Sequence, residues 1–232
     1  MRTSYRSTPS FWNSAFFYGR RVGLGALLSG AVLCSGCEKV QQARNSVNAV
    51  QAMQAAGENL EKEVAKAETR LQARRAKGDT LALPYKELQA YLPASVGEYQ
   101  PAGEPEGSTM SMTGLSYSTC GRTYQTGSAD NPKTLKINLV DYNNAGSIYA
   151  GATAMLGANF QMEDEQQRVQ GLDLGVAEVK ALETYQKRDH RASIVAGIGQ
   201  RFYVSVEATD QADTELVKQA LRQLDLKALA AR

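Results

Sequence analysis

Three cysteines and one histidine are the scarce reactive side chains of this 232-residue chain. Cys37 is the most telling. It follows the small pair Ser35-Gly36 and the apolar run 22–33, and Arg2, Arg6, Arg20 and Arg21 precede that run with no acidic residue among them. A basic n-region, an apolar h-region and a small-residue cleavage site make a secretory signal. A cysteine placed directly after the small pair gives it the form of a bacterial lipoprotein export signal. Its thiol can take a diacylglyceryl group before cleavage, and the new N-terminus can then be acylated. Cys37 is therefore the expected lipidation site, and membrane lipid the expected first partner. The lipobox match has one departure: Cys34 stands where Leu is usual, and Leu33 lies one place early. Cys34 itself is the poorer site, because bulky Leu33 would precede the cut.

Three alternatives stay open: a signal peptide without lipid, a retained anchor, and twin-arginine export. As a helix, residues 22–33 reach roughly 18 Å against a hydrocarbon core of about 30 Å. Gly23, Gly25 and Gly30 weaken that helix further. Arg20-Arg21 resembles a twin-arginine signal, but Val-Gly-Leu follows without the usual Phe. The leader is also long and aromatic (Phe11, Trp12, Phe16, Phe17, Tyr18), which leaves the true start open.

The whole chain holds 26 basic and 24 acidic residues; four basic ones lie in the leader, leaving 22 against 24. The mature chain is near neutral, without the basic footprint of a nucleic-acid binder. With Cys34 removed and Cys37 acylated, Cys120 has no intrachain partner for a disulfide. Its strand-like surroundings suit a small buried apolar residue, with a reactive thiol as the alternative. No zinc or iron–sulfur spacing and no phosphate-cradling loop is found, and no cofactor is expected.

Hydrolysis by nucleophile and base needs a base and a group to orient it. The only imidazole, His190, lies in the charged turn Lys187–Arg191 and reads as solvated. Glu163, Asp164 and Glu165 follow a predicted helix in a polar stretch. Asp141 is more interesting, because continuing the alternation Leu135, Ile137, Leu139 places it on an apolar face. A charge there is costly without a partner. Either the strand ends at Val140 and Asp141 caps the next turn, or it lies at the rim of a ligand cleft. Tyr142, Tyr149 and Tyr203 are equally open between recognition and packing.

Residues 38–78 carry Ala, Gln, Glu, Lys and Arg without aromatics or proline, and predict a long helical spacer. A thin heptad stripe runs through Ala43, Val50, Gly57, Val64 and Leu71, with Ser46, Met53, Leu60 and Ala67 beside it. A solvated spacer, weak self-association and packing back on the domain are the three readings. Gly78-Asp79 should stop the helix. A short helix 85–92 is expected next, then a strand 97–102 and a loop 103–111. Strands follow from residue 115, with a bulge at Gly121, and over 135–140. A helix spans 145–160, and strands follow over 175–186, 192–198 and 201–208. Gly199-Gln200 suits a tight hairpin, and a final helix starts near Gln211, capped by Thr209 or Asp210. Alternating apolar patterns predict an α+β fold, an antiparallel sheet covered by two amphipathic helices. The expected organisation is a signal peptide (1–36), a lipid-anchored helical stalk (37–79) and one domain (80–232).

The segments YKELQAYLP, STMSMTGLSYS, LKINLVDYNN and RFYVSVEA, in this order, resemble a family of uncharacterised Gram-negative envelope lipoproteins. The likeness covers residues 85–230. The strand–helix order is also similar to the PsbP-like fold of lumenal photosystem subunits and DcrB-type lipoproteins. That resemblance implies an accessory or docking module and carries over no catalytic residue. The leading expectation is a non-enzymatic, lipid-anchored envelope protein whose domain binds an envelope protein partner. The alternatives are a ligand-binding or hydrolytic protein with a carboxylate–tyrosine cleft, and a structural element self-associating through the stalk.

Overall fold

The computed structural model describes residues 61–232 apart from residues 63, 129 and 158. The expected signal peptide, Cys37 and the expected stalk up to residue 60 lie outside the described residues. All described residues fall in one compact unit.

The described stalk is helical over residues 64–76 (α1). It stops as the sequence predicts. Gly78 takes φ +80, and the amides of Gly78 and Asp79 bond back to the carbonyls of Arg75 and Arg74. This is a Schellman closure, which needs the left-handed conformation that glycine adopts without a Cβ penalty. The heptad stripe faces the chain's own domain here: Ala67 and Arg74 are buried, with Val64 and Leu71 half-buried between their turns. These turns pack on the domain, and the rest of the expected spacer lies outside the described residues.

A short helix α2 (Tyr85–Gln89) follows Pro84. The sheet is antiparallel throughout and has nine strands among the described residues. They are β1 (Gln100–Pro101), β2 (Glu106–Met112), β3 (Leu115–Ser128), β4 (Asn131–Asp141), β5 (Gln161–Glu163), β6 (Gln167–Leu172), β7 (Val179–Gln186), β8 (Arg191–Ile198) and β9 (Phe202–Ala208). Their order is β1-β3-β4-β9-β8-β7-β6-β5, with β2 beside β1 on the outer edge of β3. Helix α3 (Gly146–Thr153) follows β4, and α4 (Glu215–Gln223) and α5 (Leu226–Ala230) close the chain.

Period-two alternation decides the faces. Leu135, Ile137 and Leu139 of β4, Ile194, Ala196 and Ile198 of β8, and Phe202, Val204 and Val206 of β9 point to one side and are fully buried. Leu88, Val217, Leu221 and Leu229 from α2, α4 and α5 complete that core. Each large aliphatic or aromatic side chain so buried contributes about 1.5–3 kcal/mol. Helices α1 and α3 take the opposite face. A Cβ on Gly197 of β8 would lie 2.8 Å from the Tyr149 hydroxyl and 2.7 Å from a Thr153 methyl, and Ala67 abuts Gly146.

The α+β antiparallel reading therefore holds, with corrections. Five helices are present among the described residues: the last expected helix is split into α4 and α5, and helices cover both faces of the sheet where two on one face were expected. Six residues of the expected loop 103–111 belong to β2, all seven residues of which are exposed. It is held by backbone pairing with β3 and buries no side chains, so no apolar alternation marks it. Gly121 is no bulge, because β3 passes through it in unbroken register. It lies across from the Asn138 side chain, 2.6 Å from where a Cβ would be. Strand β1 keeps two residues of the expected 97–102. The helix expected over 145–160 ends at Thr153, and the acidic stretch beyond it is the β5–β6 hairpin. The last helix starts at Glu215, where Asp213 accepts the Glu215 amide at 2.9 Å, and breaks at Leu224. The β8–β9 turn is tight but one residue longer than expected: Gly199 and Gln200 take positive φ, +61 and +58, the Arg201 amide bonds the Ile198 carbonyl at 3.1 Å, and Ile198 pairs with Phe202, so β9 starts one residue after Arg201.

Candidate functional site

Strand β4 runs through Asp141, and alternation does carry its carboxylate to the core face, where it is fully buried. The correction to the sequence reading is that the strand does not end at Val140. The turn bond is also present, since Oδ1 accepts the Asn143 amide at 2.9 Å. The charge is met by Arg201, the last residue of the β8–β9 turn. Its Nε and Nη2 reach the two Asp141 oxygens at 2.8 Å each, a bidentate fork. The Leu83 amide adds a fourth bond at 2.8 Å.

The network continues into the stem. Arg201 Nη1 bonds Asp79 at 2.8 Å, and the Asn143 side-chain amide donates to Asp79 at 2.6 Å and to the Leu81 carbonyl at 2.7 Å. Arg74 Nε on α1 donates to Asn143 Oδ1 at 2.6 Å. Burial pulls the Arg201 guanidinium down, but the Asp141 bonds and the charges of Asp141 and Asp79 outweigh it, so its pKa lies above the ordinary value. Arg74 is lowered, by burial first and then by the charge of Arg201. The Arg201 guanidinium also stacks 4.9 Å over the Phe202 ring. Asp79, Asn143 and Arg201 were not legible as a set, because their positions in the chain lie far apart and no local pattern links them.

Beside this network a cleft of about 440 Å³ opens between α1, α3, the start of β7 and the β8–β9 turn. Lys66, Arg70, Tyr149, Glu178, Lys180 and Gln200 line it. Arg70 and Glu178 form an ion pair across it, both ends partly exposed. Glu178 has φ +62, a left-handed conformation that costs a non-glycine residue about 1–2 kcal/mol. Gln200, in the β8–β9 turn, shares that conformation. Of the carboxylates and tyrosines, Glu178 and Tyr149 line this cleft, and Asp141 does not. Tyr142 stands edge-on to Tyr149, with ring centroids 6.5 Å apart. Burial raises the pKa values of Tyr142 and Tyr203.

The other sequence candidates lie elsewhere. His190 sits at the far end of β8, about 25 Å from the cleft at roughly 3.3 Å per strand residue. It is exposed, with φ +47 and its Nδ1 3.4 Å from the Tyr185 hydroxyl. Glu163 is held below the usual carboxylate range by its bond to Lys187, and Asp164 by the amides of Gln167 and Gln166. Both shape the β5–β6 turn. Cys120 is buried, and burial pushes its thiol up to about 12. A second buried carboxylate, Glu183 of β7, escaped the sequence reading. It accepts from the Thr214 hydroxyl at 2.6 Å and from the Gln170 amide, with Lys218 at 3.4 Å.

Among the described residues no group of three or more His, Cys, Asp or Glu is placed to hold a metal, and no helix is long and apolar enough to cross a membrane. No family model, curated protein or solved structure matches the chain.

Proposed function

We propose that this chain is a lipid-anchored cell-envelope protein whose sheet domain is a non-enzymatic accessory module for an envelope protein partner. Acylated Cys37 holds it to the inner or outer membrane, facing the periplasm or the cell surface. The observation that carries the reading is the buried network of Arg201, Asp141, Asp79, Asn143 and Arg74. A spacer that merely tethers a domain has no use for buried charge. Such networks add little net stability, and their best-attested use is to select one arrangement. Here the arrangement is the angle between stem and sheet, which would present the domain in one orientation above the membrane. The basic leader, the apolar run and Ser35-Gly36-Cys37 support the anchor.

Fatty-acid labelling with mass spectrometry of the mature N-terminus tests it. Cys37→Ser should lose the label and retain the leader, while Cys34→Ser keeps normal labelling and processing. An unmodified mature N-terminus, or the whole leader on the wild-type protein, overturns the anchor. The cleft favours a second reading, a small polar ligand held between α1 and the β8–β9 turn. Native mass spectrometry of the protein from its own envelope, showing a bound small molecule that Arg70→Ala releases, would select it.

A further inference from the structure

The two edges of the sheet are built differently. At one, β5 has three residues, and its Glu163 is tied to Lys187 where the chain turns away. Short, charged edges are the usual guard against pairing with another chain. At the other, β2 has seven exposed residues, no proline, and one charge, Glu106, at its outer end. Strand β1 beside it is two residues long and ends in Pro101, but the β2 stretch of that edge carries no such guard.

We propose that β2 is a pairing edge through which two copies of this chain join their sheets about a two-fold axis at Thr109. The hydrogen-bonding phase of β3 supplies the geometry. The Ser116 carbonyl accepts from the Asn144 amide on the β4 side, and the Thr123 carbonyl from the Ala102 amide on the β1 side. Odd-numbered residues of β3 therefore direct their backbone groups toward the β1–β2 edge. Their partners are Glu106, Ser108, Met110 and Met112. Gly107, Thr109 and Ser111 are left to turn their N–H and C=O groups outward. A two-fold axis at Thr109 sets Thr109 opposite its own counterpart and Gly107 opposite Ser111, on both sides of the axis. That makes six inter-chain hydrogen bonds, with every outward group of those residues used.

The side chains agree with this register. Glu106 falls opposite Met112, so no like charges meet. Met110 and Met112 are 40% and 54% exposed and share a face with their cross-strand partners Tyr117 and Leu115. The axis brings the two Met110 side chains together as diagonal neighbours and joins two apolar patches into one. The axis is also normal to the sheet, so each face of the joined sheet is the same face of both copies. Helix α1 lies on the α3 face, so the two α1 helices share one side of the joined sheet. Two chains anchored in one membrane need this arrangement; that last point alone rests on the anchor proposed above. One strand pair buries less than the roughly 1,200 Å² of a standard interface. The pairing is therefore weak in dilute solution and strengthened when both copies are confined to one surface.

The test uses full-length protein in detergent, carrying Cys37→Ser so that pairing is read independently of acylation. Ser108 and Met110 fall opposite each other at a close, non-hydrogen-bonded site suited to a disulfide. Under mild oxidation, mixed Ser108→Cys and Met110→Cys proteins should form a heterodimer in at least fivefold excess over either homodimer. Ser111→Pro removes an outward N–H without touching the β3 ladder. It should weaken the dimer at least tenfold by analytical ultracentrifugation, with the melting temperature unchanged. A chain that stays monomeric at all concentrations, or cross-linking without preference for the 108–110 pair, overturns the proposal. Neither result bears on lipid labelling at Cys37.

Discussion

Asp141 and Glu183 are both carboxylates buried on the core face of the sheet, at 0% and 2% exposure, yet they are held by opposite means. Asp141 meets a full charge in the same interior through the Arg201 fork, and two backbone amides complete its shell. Glu183 relies on neutral donors, Thr214 and Gln170. Its nearest cation, Lys218, stands at 3.4 Å and also reaches exposed Glu215 at 2.6 Å. One site is internally charge-balanced, and the other draws its balance from the surface. The difference follows what each fastens. Asp141 and Arg201 lock the crossing from stem to sheet, while Glu183 takes the hydroxyl of Thr214, which precedes α4 and makes no side-chain cap of its own.

The comparison predicts unequal damage. Asp141→Ala should cost about 3–5 kcal/mol, because it leaves the Arg201 guanidinium buried with only Asp79 beside it. Urea unfolding measures this, and a loss under about 1 kcal/mol would contradict the internally balanced account. Glu183→Ala leaves only neutral groups and a lysine that can swing to solvent. Its cost should be about 2 kcal/mol. If Glu183→Ala proves the more damaging of the two, the distinction fails. Asp79 is the exposed end of the first network, with its side chain at 38%. Asp79→Ala should cost about 1 kcal/mol globally, but loosen the stem first. Trypsin should cut at Arg74, Arg75 or Lys77 several-fold faster while the sheet stays intact, and unchanged cutting would show that Asp79 does not fasten the stem.

What the sequence made legible follows the same division. Leu135, Ile137 and Leu139, and Phe202, Val204 and Val206, announced their strands because half of each strand is buried. Gly78 and Gly199 marked real chain reversals. Strand β2 left no pattern, since pairing alone holds it and its side chains all face water. The β5–β6 hairpin has only Val169 buried, too little to show alternation. Asp141 was conspicuous because it broke an apolar series. Its partner Arg201 lies 60 residues away, and Glu183 passed unnoticed within a strand whose alternation was already irregular. The cleft was illegible for a related reason: four separate segments make it, and only the folded sheet brings them together.

Alkaline pH offers the finest separation of the two sites. Burial pulls the Lys218 ammonium down, but the Glu215 bond and the Glu183 charge outweigh it, so its pKa is raised in the folded protein. A cation with a raised folded pKa contributes stability that is complete below its unfolded value, near 10.4. That contribution disappears as pH rises through the folded value. Arg201, raised above its already high ordinary value by the Asp141 bonds and the charges of Asp141 and Asp79, keeps its charge over the same range. Raising the pH from 8 to 11 should therefore weaken the Glu183 site and spare the Asp141 site. The effect is below about 1 kcal/mol, because Glu215 is exposed and solvent screens it. It is best read as the stability difference between wild type and Lys218→Met at the two pH values. The common alkaline slope from Cys120, whose thiol is pushed up to about 12, cancels in that difference. The gap between the two proteins should shrink at pH 11. A gap of equal size at both values would mean that Lys218 supports the site by packing alone, and that Glu183 is held without help from its charge.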